Sequence, residues 1–248
     1  MVTMALVAWV LVAAPKEAPA QGTFVTETLS LHGRAWRYSV YLPPGYRPGP
    51  QWPVILALHG AGSRGTDGLK HREQSVAAAA RMYPERYPAV LVLPQCPPDR
   101  RWSGTVADYA LEALERTVHK YGGDRTRLYL VGQSLGARGA VHLAASHPDR
   151  FAAVVAVAGR HPDREEDVKR LKNLPLWLWH GDADDAVPVT ESRALVKSLE
   201  AEGHTAVRYT ELPGRGHDIF DEVYRDAEVS RWLFAQRREA PGSAPSRP

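Results

Sequence analysis

The sequence predicts an α/β fold: a mostly parallel, eight-stranded sheet flanked by helices. Short apolar runs alternate with longer segments of helical periodicity along most of the chain. Some runs, such as Ala152-Ala153-Val154-Val155-Ala156-Val157, are apolar at every position, as strands covered on both faces must be. The residues with catalytic chemistry fall in loops that end such runs, where parallel sheets build their sites. Parallel neighbours joined through helices require right-handed crossovers. The sequence contains no internal repeat.

Residues 1–20 stand apart from this alternation. Residues 4–14 form an apolar run, short for a bilayer span and suited to the core of an export signal. Ala18-Pro19-Ala20 supplies an A-x-A-like cleavage site before Gln21, although Met1-Val2-Thr3 carries no basic residue. Residues 1–20 are expected to be a signal peptide and residues 21–235 a single folded domain, secreted or periplasmic. Strands at 23–31 and 35–42 read as a hairpin turning at His32-Gly33. Further strands are expected near 53–58, 89–94, 127–131, 152–158, 175–180 and 206–212. Helices are expected near 69–82, 105–121, 137–147, 189–202 and 218–235. Residues 160–173 are few and highly charged, with room for one small helix. Residues 236–248, rich in Pro, Arg, Ser and Ala, are expected to be a disordered tail.

Composition narrows the class. A chain of 248 residues with 44% hydrophobic residues is ordinary globular material, long enough to bury a real core. The formal charge is only +3, and the basic residues are scattered, so nucleic acid is not an expected partner. No second apolar stretch is long enough to span a bilayer, so the mature chain is expected to have no membrane span. No Cys/His cluster has metal-ligand spacing and no glycine loop has the form of a phosphate cradle, so neither metal nor cofactor is expected. The single cysteine, Cys96, follows a predicted strand and reads as buried.

The most informative segment is Gly132-Gln133-Ser134-Leu135-Gly136. A β-rich run precedes it and a helix-forming run follows it, the context of a nucleophile elbow. The sharp turn leaves no room for a Cβ beside the serine, which is why glycine flanks it. A serine hydroxyl needs a base, and a histidine base needs a carboxylate to fix its tautomer. Both follow Ser134 in the order this architecture uses, acid and then histidine. The loop Asp182-Ala183-Asp184-Asp185 follows the apolar Leu176-Trp177-Leu178-Trp179-His180-Gly181. The loop Pro213-Gly214-Arg215-Gly216-His217 follows the last predicted strand. Of ten histidines, His217 is favoured as base because it follows that strand and Gly216 permits a tight approach. His59 and His180 close their strands and are expected to orient loops. Asp182 is placed where an Asp caps its own turn, and Asp185, one residue past Asp184, should point elsewhere.

These segments together resemble the α/β-hydrolases, over residues 24–235. His180-Gly181-Asp182-x-Asp184-x-x-Val187-Pro188 resembles the acid loop of the phospholipase/carboxylesterase and dienelactone-hydrolase-like groups. The resemblance implies Asp184 as the catalytic carboxylate, three residues before Val-Pro. His59-Gly60-Ala61-Gly62, after an apolar strand, resembles those groups' oxyanion loop. It implies that the N–H groups of Ala61 and Leu135 hold the oxyanion. Leu93-Pro94-Gln95-Cys96-Pro97 with Trp102 resembles secreted esterases related to polyhydroxybutyrate depolymerases and feruloyl esterases. Trp102, as an aromatic wall, and Gln133 are the candidate substrate contacts. Arg64, Arg138 and Arg215 lie near the same site. Many α/β-hydrolases insert a lid where this chain has only residues 160–173, so no large cap domain and an open cleft are expected.

The implied activity is hydrolysis of small-molecule or polymer-borne carboxylic esters through an acyl-enzyme. A serine peptidase of the prolyl-oligopeptidase-like type and an inactive secreted binding protein are the alternatives. Oligomeric state is not legible.

Overall fold

A computed structural model describes residues 21–49, 51–160 and 165–239. The expected export signal lies outside these residues. The chain opens with a hairpin, β1 (Thr23–Leu31) and β2 (Arg34–Leu42), paired antiparallel from Thr23 opposite Leu42 to Leu31 opposite Arg34. His32 and Gly33 both adopt positive φ, 50° and 72°, the two-residue turn whose twist matches a hairpin.

Six more strands follow: β3 (Trp52–Leu58), β4 (Val90–Pro94), β5 (Gly123–Gln133), β6 (Ala153–Val157), β7 (Leu176–Gly181) and β8 (Val207–Leu212). They form one eight-stranded sheet in the order β1-β2-β4-β3-β5-β6-β7-β8. β1, β2 and β4 pair antiparallel, and every pairing from β4 to β8 is parallel. Every residue of β4, β6 and β7 is buried, which is what their continuously apolar sequences require.

The helices are α1 (Ser75–Met82), α2 (Thr105–Tyr121), α3 (Leu135–Ser146), α4 (Glu165–Leu171), α5 (Thr190–Ala201), α6 (Phe220–Arg225) and α7 (Ala227–Ala235). Residues of α2, α3, α4 and α5 fill one core layer, including Leu114, Val141, Leu171 and Leu199. Residues of α1, α6 and α7 fill the other, including Ala80, Tyr224 and Leu233. The sheet is thus covered on both faces, and α4 is the small helix expected within residues 160–173. Among the described residues there is no cap domain.

Two predicted helices are each divided. The expected helix at 69–82 becomes a 3-10 turn, Lys70–Glu73, followed by α1, because Ser75 takes φ 54°. The expected helix at 218–235 breaks at Asp226, whose side chain accepts the Glu228 N–H and caps α7. Of the expected tail, residues 240–248 lie outside the described residues. Residues 236–239 are held: Arg238 N–H donates to the Thr126 carbonyl at 2.9 Å, and the Tyr129 hydroxyl donates to the Gln236 carbonyl at 2.9 Å.

Candidate active site

The elbow forms where β5 ends and α3 begins. Ser134 sits between them at φ 51°, ψ −116°, strained for a residue with a side chain. Its N–H donates to the Val157 carbonyl at 2.8 Å, so the end of β6 pins the turn. The flanking glycines are needed for space. A Cβ on Gly136 would stand 1.8 Å from the Leu58 carbonyl oxygen, and one on Gly132 would stand 2.2 Å from that of Gly136.

The parallel order brings the ends of β5, β7 and β8 to one edge. There His217 Nε2 lies 3.0 Å from Ser134 Oγ, and His217 Nδ1 lies 2.7 Å from Asp184 Oδ2. With its proton on Nδ1, the imidazole donates to Asp184 and leaves Nε2 to accept the serine hydroxyl. The Asp184 side chain is fully buried and held on both oxygens. Oδ1 accepts the N–H groups of Ala186 at 2.9 Å and Val187 at 2.8 Å. Oδ2 also lies 3.2 Å from His180 Nε2. Burial would raise this carboxyl, but hydrogen bonds from the Val187 N–H, His217 and the Ala186 N–H outweigh it. Asp184 is held below the usual carboxylate range.

His180 is fully buried and organises the acid loop. Its Nε2 donates to the Val187 carbonyl at 2.9 Å, while Nδ1 accepts from Ser192 Oγ at 2.7 Å. The other two acids are elsewhere. Asp182 accepts the Gly214 N–H at 2.6 Å and so ties the acid loop to the histidine loop, and Asp185 is exposed.

The loop after β3 runs beside Ser134: a Cβ on Gly60 would lie 3.5 Å from Ser134 Cβ. Ala61 opens a 3-10 turn, Ala61–Ser63, and Leu135 opens α3. The first N–H groups of a helical turn have no acceptor within it, so both are disposed to receive an anion. His59 fixes this loop. Its Nε2 accepts the Cys96 N–H at 3.0 Å and its Nδ1 donates to the Gly60 carbonyl at 2.7 Å. Burial, aided by the nearby His71, lowers its pKa to about 3, so it stays neutral.

Trp102, expected as an aromatic wall, and Gln133, expected as a substrate contact, are both buried. Trp102 is only 2% exposed, and its Nε1 donates to the His59 carbonyl at 3.0 Å, supporting the loop from beneath. It turns inward because Gly139 on α3 leaves room: a Cβ there would lie 2.3 Å from Trp102 Cβ. Gln133 is 5% exposed and donates to Gln74 at 3.2 Å, beside a small cavity of about 20 Å³ that it shares with His71 and Tyr224.

One organising residue was not identified by sequence reasoning. Gln95 Nε2 donates to the Ser63 carbonyl at 3.1 Å, and its Oε1 accepts the Gly68 N–H at 2.7 Å. With Gly65 N–H donating to the Cys96 carbonyl at 3.0 Å, the exit of β4 clamps the exit of β3. The Pro-Gln-Cys-Pro run after an apolar strand was the available signal, but it carried no role for the amide.

Comparison with known proteins agrees with this architecture. The family model described as putative esterase matches residues 30–202. The putative esterase NocK of Nocardia uniformis subsp. tsuyamanensis is 29% identical over 175 residues, covering 68% of this chain and 51% of that protein. Esterase LipC of Mycobacterium tuberculosis is 25% identical over 224 residues, covering 68% of this chain and 54% of that protein. The chain therefore spans about half the length of these curated relatives. A solved thermostable esterase superposes with a TM-score of 0.79 at 30% identity, over 87% of this chain and 63% of that one. The feruloyl esterase module of Clostridium thermocellum, solved with sinapinate, has a TM-score of 0.72 at 14% identity, over 91% of this chain and 92% of that one. It shares the fold. Since the family model covers more than half of its length, the chain belongs to the putative esterase family of α/β-hydrolases.

Proposed function

We propose that this protein is a serine carboxylesterase working through an acyl-enzyme. The observation that carries the reading is the hydrogen-bonded chain from Ser134 Oγ through His217 to Asp184, at 3.0 and 2.7 Å. His217 takes the serine proton as Oγ attacks the ester carbonyl. The N–H groups of Ala61 and Leu135 stabilise the oxyanion, where loss of one such donor typically costs ~3 kcal/mol. His217 then protonates the leaving alcohol. Water, deprotonated by the same imidazole, attacks the acyl-enzyme and releases the acid. Asp184 stays ionised throughout and holds His217 in the productive tautomer.

An open cleft suits soluble or polymer-borne esters, and hydroxycinnamoyl esters are a natural class to assay given the fold shared with feruloyl esterases. Export is part of the proposal, supported by the apolar run at 4–14 and the A-x-A-like site before Gln21. Among the described residues no helix is long and apolar enough to cross a membrane.

The test is hydrolysis of p-nitrophenyl esters from acetate to palmitate, and of methyl ferulate, by the wild type and Ser134→Ala. A fluorophosphonate should label the wild type and not the variant. Folded protein with no turnover on any ester would favour the peptidase or binding-protein readings. An unchanged rate in Ser134→Ala would remove the elbow assignment.

A further inference from the structure

A groove of about 660 Å³ opens between the β1–β2 turn and the loop entering α2. Arg34, Arg100 and Arg101 line it, all exposed, and Asp99 is its single carboxylate. Most arginines in the described part of the chain are paired: Arg116, Arg125, Arg127, Arg150 and Arg193, for example, all lie within 4 Å of a carboxylate. Among the described residues, no ion pair involves Arg34, Arg100 or Arg101. The groove therefore carries net positive charge, three guanidiniums against the single Asp99 carboxylate.

Two further features border the same groove. The 17-residue helix α2 begins there with Thr105 and Val106 in the lining; its Val106 N–H is held by the Ser103 carbonyl at 3.3 Å, so the helix adds the positive end of its dipole rather than a free donor, with Asp108 in its first turn opposing it. Trp36, 6% exposed, also lines the groove, and its Nε1–H has no acceptor in the protein. Tyr109 stacks on Trp36 with centroids 4.5 Å apart, and Arg34 lies 4.5 Å from the same ring, so the indole is held in place.

The groove is coupled to the proposed active site. Trp102 lies between Arg101 and Ser103 in the chain, and it carries the hydrogen bond to the His59 carbonyl behind the oxyanion loop. Because β2 is antiparallel to β4, the β1–β2 turn comes to the sheet edge where β4 ends. A ligand with its ester at Ser134 and an anionic group in the groove must pass the Trp102 loop, which requires an extended molecule.

The geometry points to this groove as a subsite for carboxylate groups on an acidic polysaccharide whose acyl esters are cleaved at Ser134. The inference rests on the esterase reading and names its substrate class. A nucleic acid fits less well, because the tryptophans here, Trp36 and Trp102, are buried and offer no stacking face. Uronate carboxylates along a chain would meet the guanidiniums successively, each contact weak and salt-screened.

Two measurements test this. The first compares kcat/KM on O-acetylated polygalacturonate with that on neutral O-acetylated glucomannan, for the wild type and Arg100→Gln/Arg101→Gln. The wild type should prefer the anionic polymer about tenfold at low salt. That preference should vanish in about 0.5 M NaCl and in the variant. Turnover of p-nitrophenyl acetate should be unchanged in the variant. Equal rates on the two polymers, or a preference that survives in the variant, would overturn the inference.

The second measurement is independent of turnover. Ser134→Ala should be retained on immobilised, unacetylated polygalacturonate, and Arg100→Gln/Arg101→Gln in that background should not. No retention, or tighter retention on single-stranded DNA, would refute the subsite. If the wild type hydrolyses no ester, the esterase reading fails while this binding result still decides the groove.

Discussion

Asp184→Asn is the sharpest test of how the acid loop works. In the wild type, Asp184 Oδ1 accepts two backbone N–H groups and Oδ2 accepts His217 Nδ1–H, with His180 Nε2 also 3.2 Å away. An asparagine carbonyl can keep the bonds from Ala186 and Val187, because those N–H groups come from a fixed turn. Its amide NH₂ then faces His217 and His180, presenting a donor where an acceptor is required. His217 can relieve the clash only by moving its proton to Nε2. That proton then points at Ser134 Oγ, and the base can no longer receive the serine proton. The loss expected for a wrong tautomer is on the order of 10⁴-fold in kcat, about 5.5 kcal/mol. The fold should survive, since size and the backbone bonds are retained. The assay is kcat and kcat/KM on p-nitrophenyl acetate, normalised to active sites titrated with a fluorophosphonate. Asp182→Asn is the control, because Asp182 is exposed and holds only the Gly214 N–H. It should cost less than about tenfold. If Asp184→Asn stays within tenfold of wild type, or Asp182→Asn is the more damaging, the tautomer argument is wrong.

Three further outcomes are expected. Gln95→Ala removes the two hydrogen bonds that hold Ser63 and Gly68, so the oxyanion donors lose support and kcat should fall about 10- to 100-fold with little change in KM. Steady-state kinetics on a short-chain ester checks this, and an effect confined to KM would contradict it. Gly136→Ala places a Cβ 1.8 Å from the Leu58 carbonyl oxygen, backbone against backbone, and should destabilise by ~3–5 kcal/mol, read as a fall in Tm of roughly 10 °C or more. Acid stability should follow His59 and His71, whose pKa values burial lowers to about 3 and about 4. Both are depressed below the unfolded value of about 6.5, so the unfolded chain binds more protons across that interval. The stability they contribute is fully present above pH ~6.5 and is lost as pH falls toward 4, at up to ~1.4 kcal/mol per pH unit for each histidine. Urea denaturation from pH 7 to pH 4 measures the slope, and His71→Gln should flatten it.

Elements set by local pattern were legible in the sequence. Eight strands were expected and eight form, because each is either continuously apolar or flanked by turn residues such as His32-Gly33. Helix continuity was less legible. The break at Asp226 depends on its side chain capturing the Glu228 N–H, and an aspartate inside a helical pattern can equally remain solvated. The break before α1 depends on Ser75 at φ 54°, with its N–H bound to Asp221 Oδ1 at 2.8 Å, a contact between residues far apart in the chain.

The site divides along the same line. Ser134, Asp184 and His217 each follow a strand in a parallel sheet, so chain order and strand ends bring them to one edge before any side-chain detail is known. Gln95 and Trp102 act through side-chain contacts that residue type does not announce. β4 pairs parallel with β3, so the loops after β3 and β4 are adjacent, and the amide of one meets the carbonyls of the other. Trp102 looks like a substrate wall when judged by residue type and loop position. Its true orientation is decided by Gly139, 37 positions later in the chain, whose missing Cβ opens a slot for the indole. A Gly139→Ala substitution would close that slot with a Cβ 2.3 Å from Trp102 Cβ, pushing the indole away from the His59 carbonyl it now supports. The loop after β3 would then lose a contact although Ser134, His217 and Asp184 had not changed. This is why, if the proposed mechanism holds, a residue with no chemistry of its own, on the buried face of the helix after Ser134, should act on kcat rather than on stability alone.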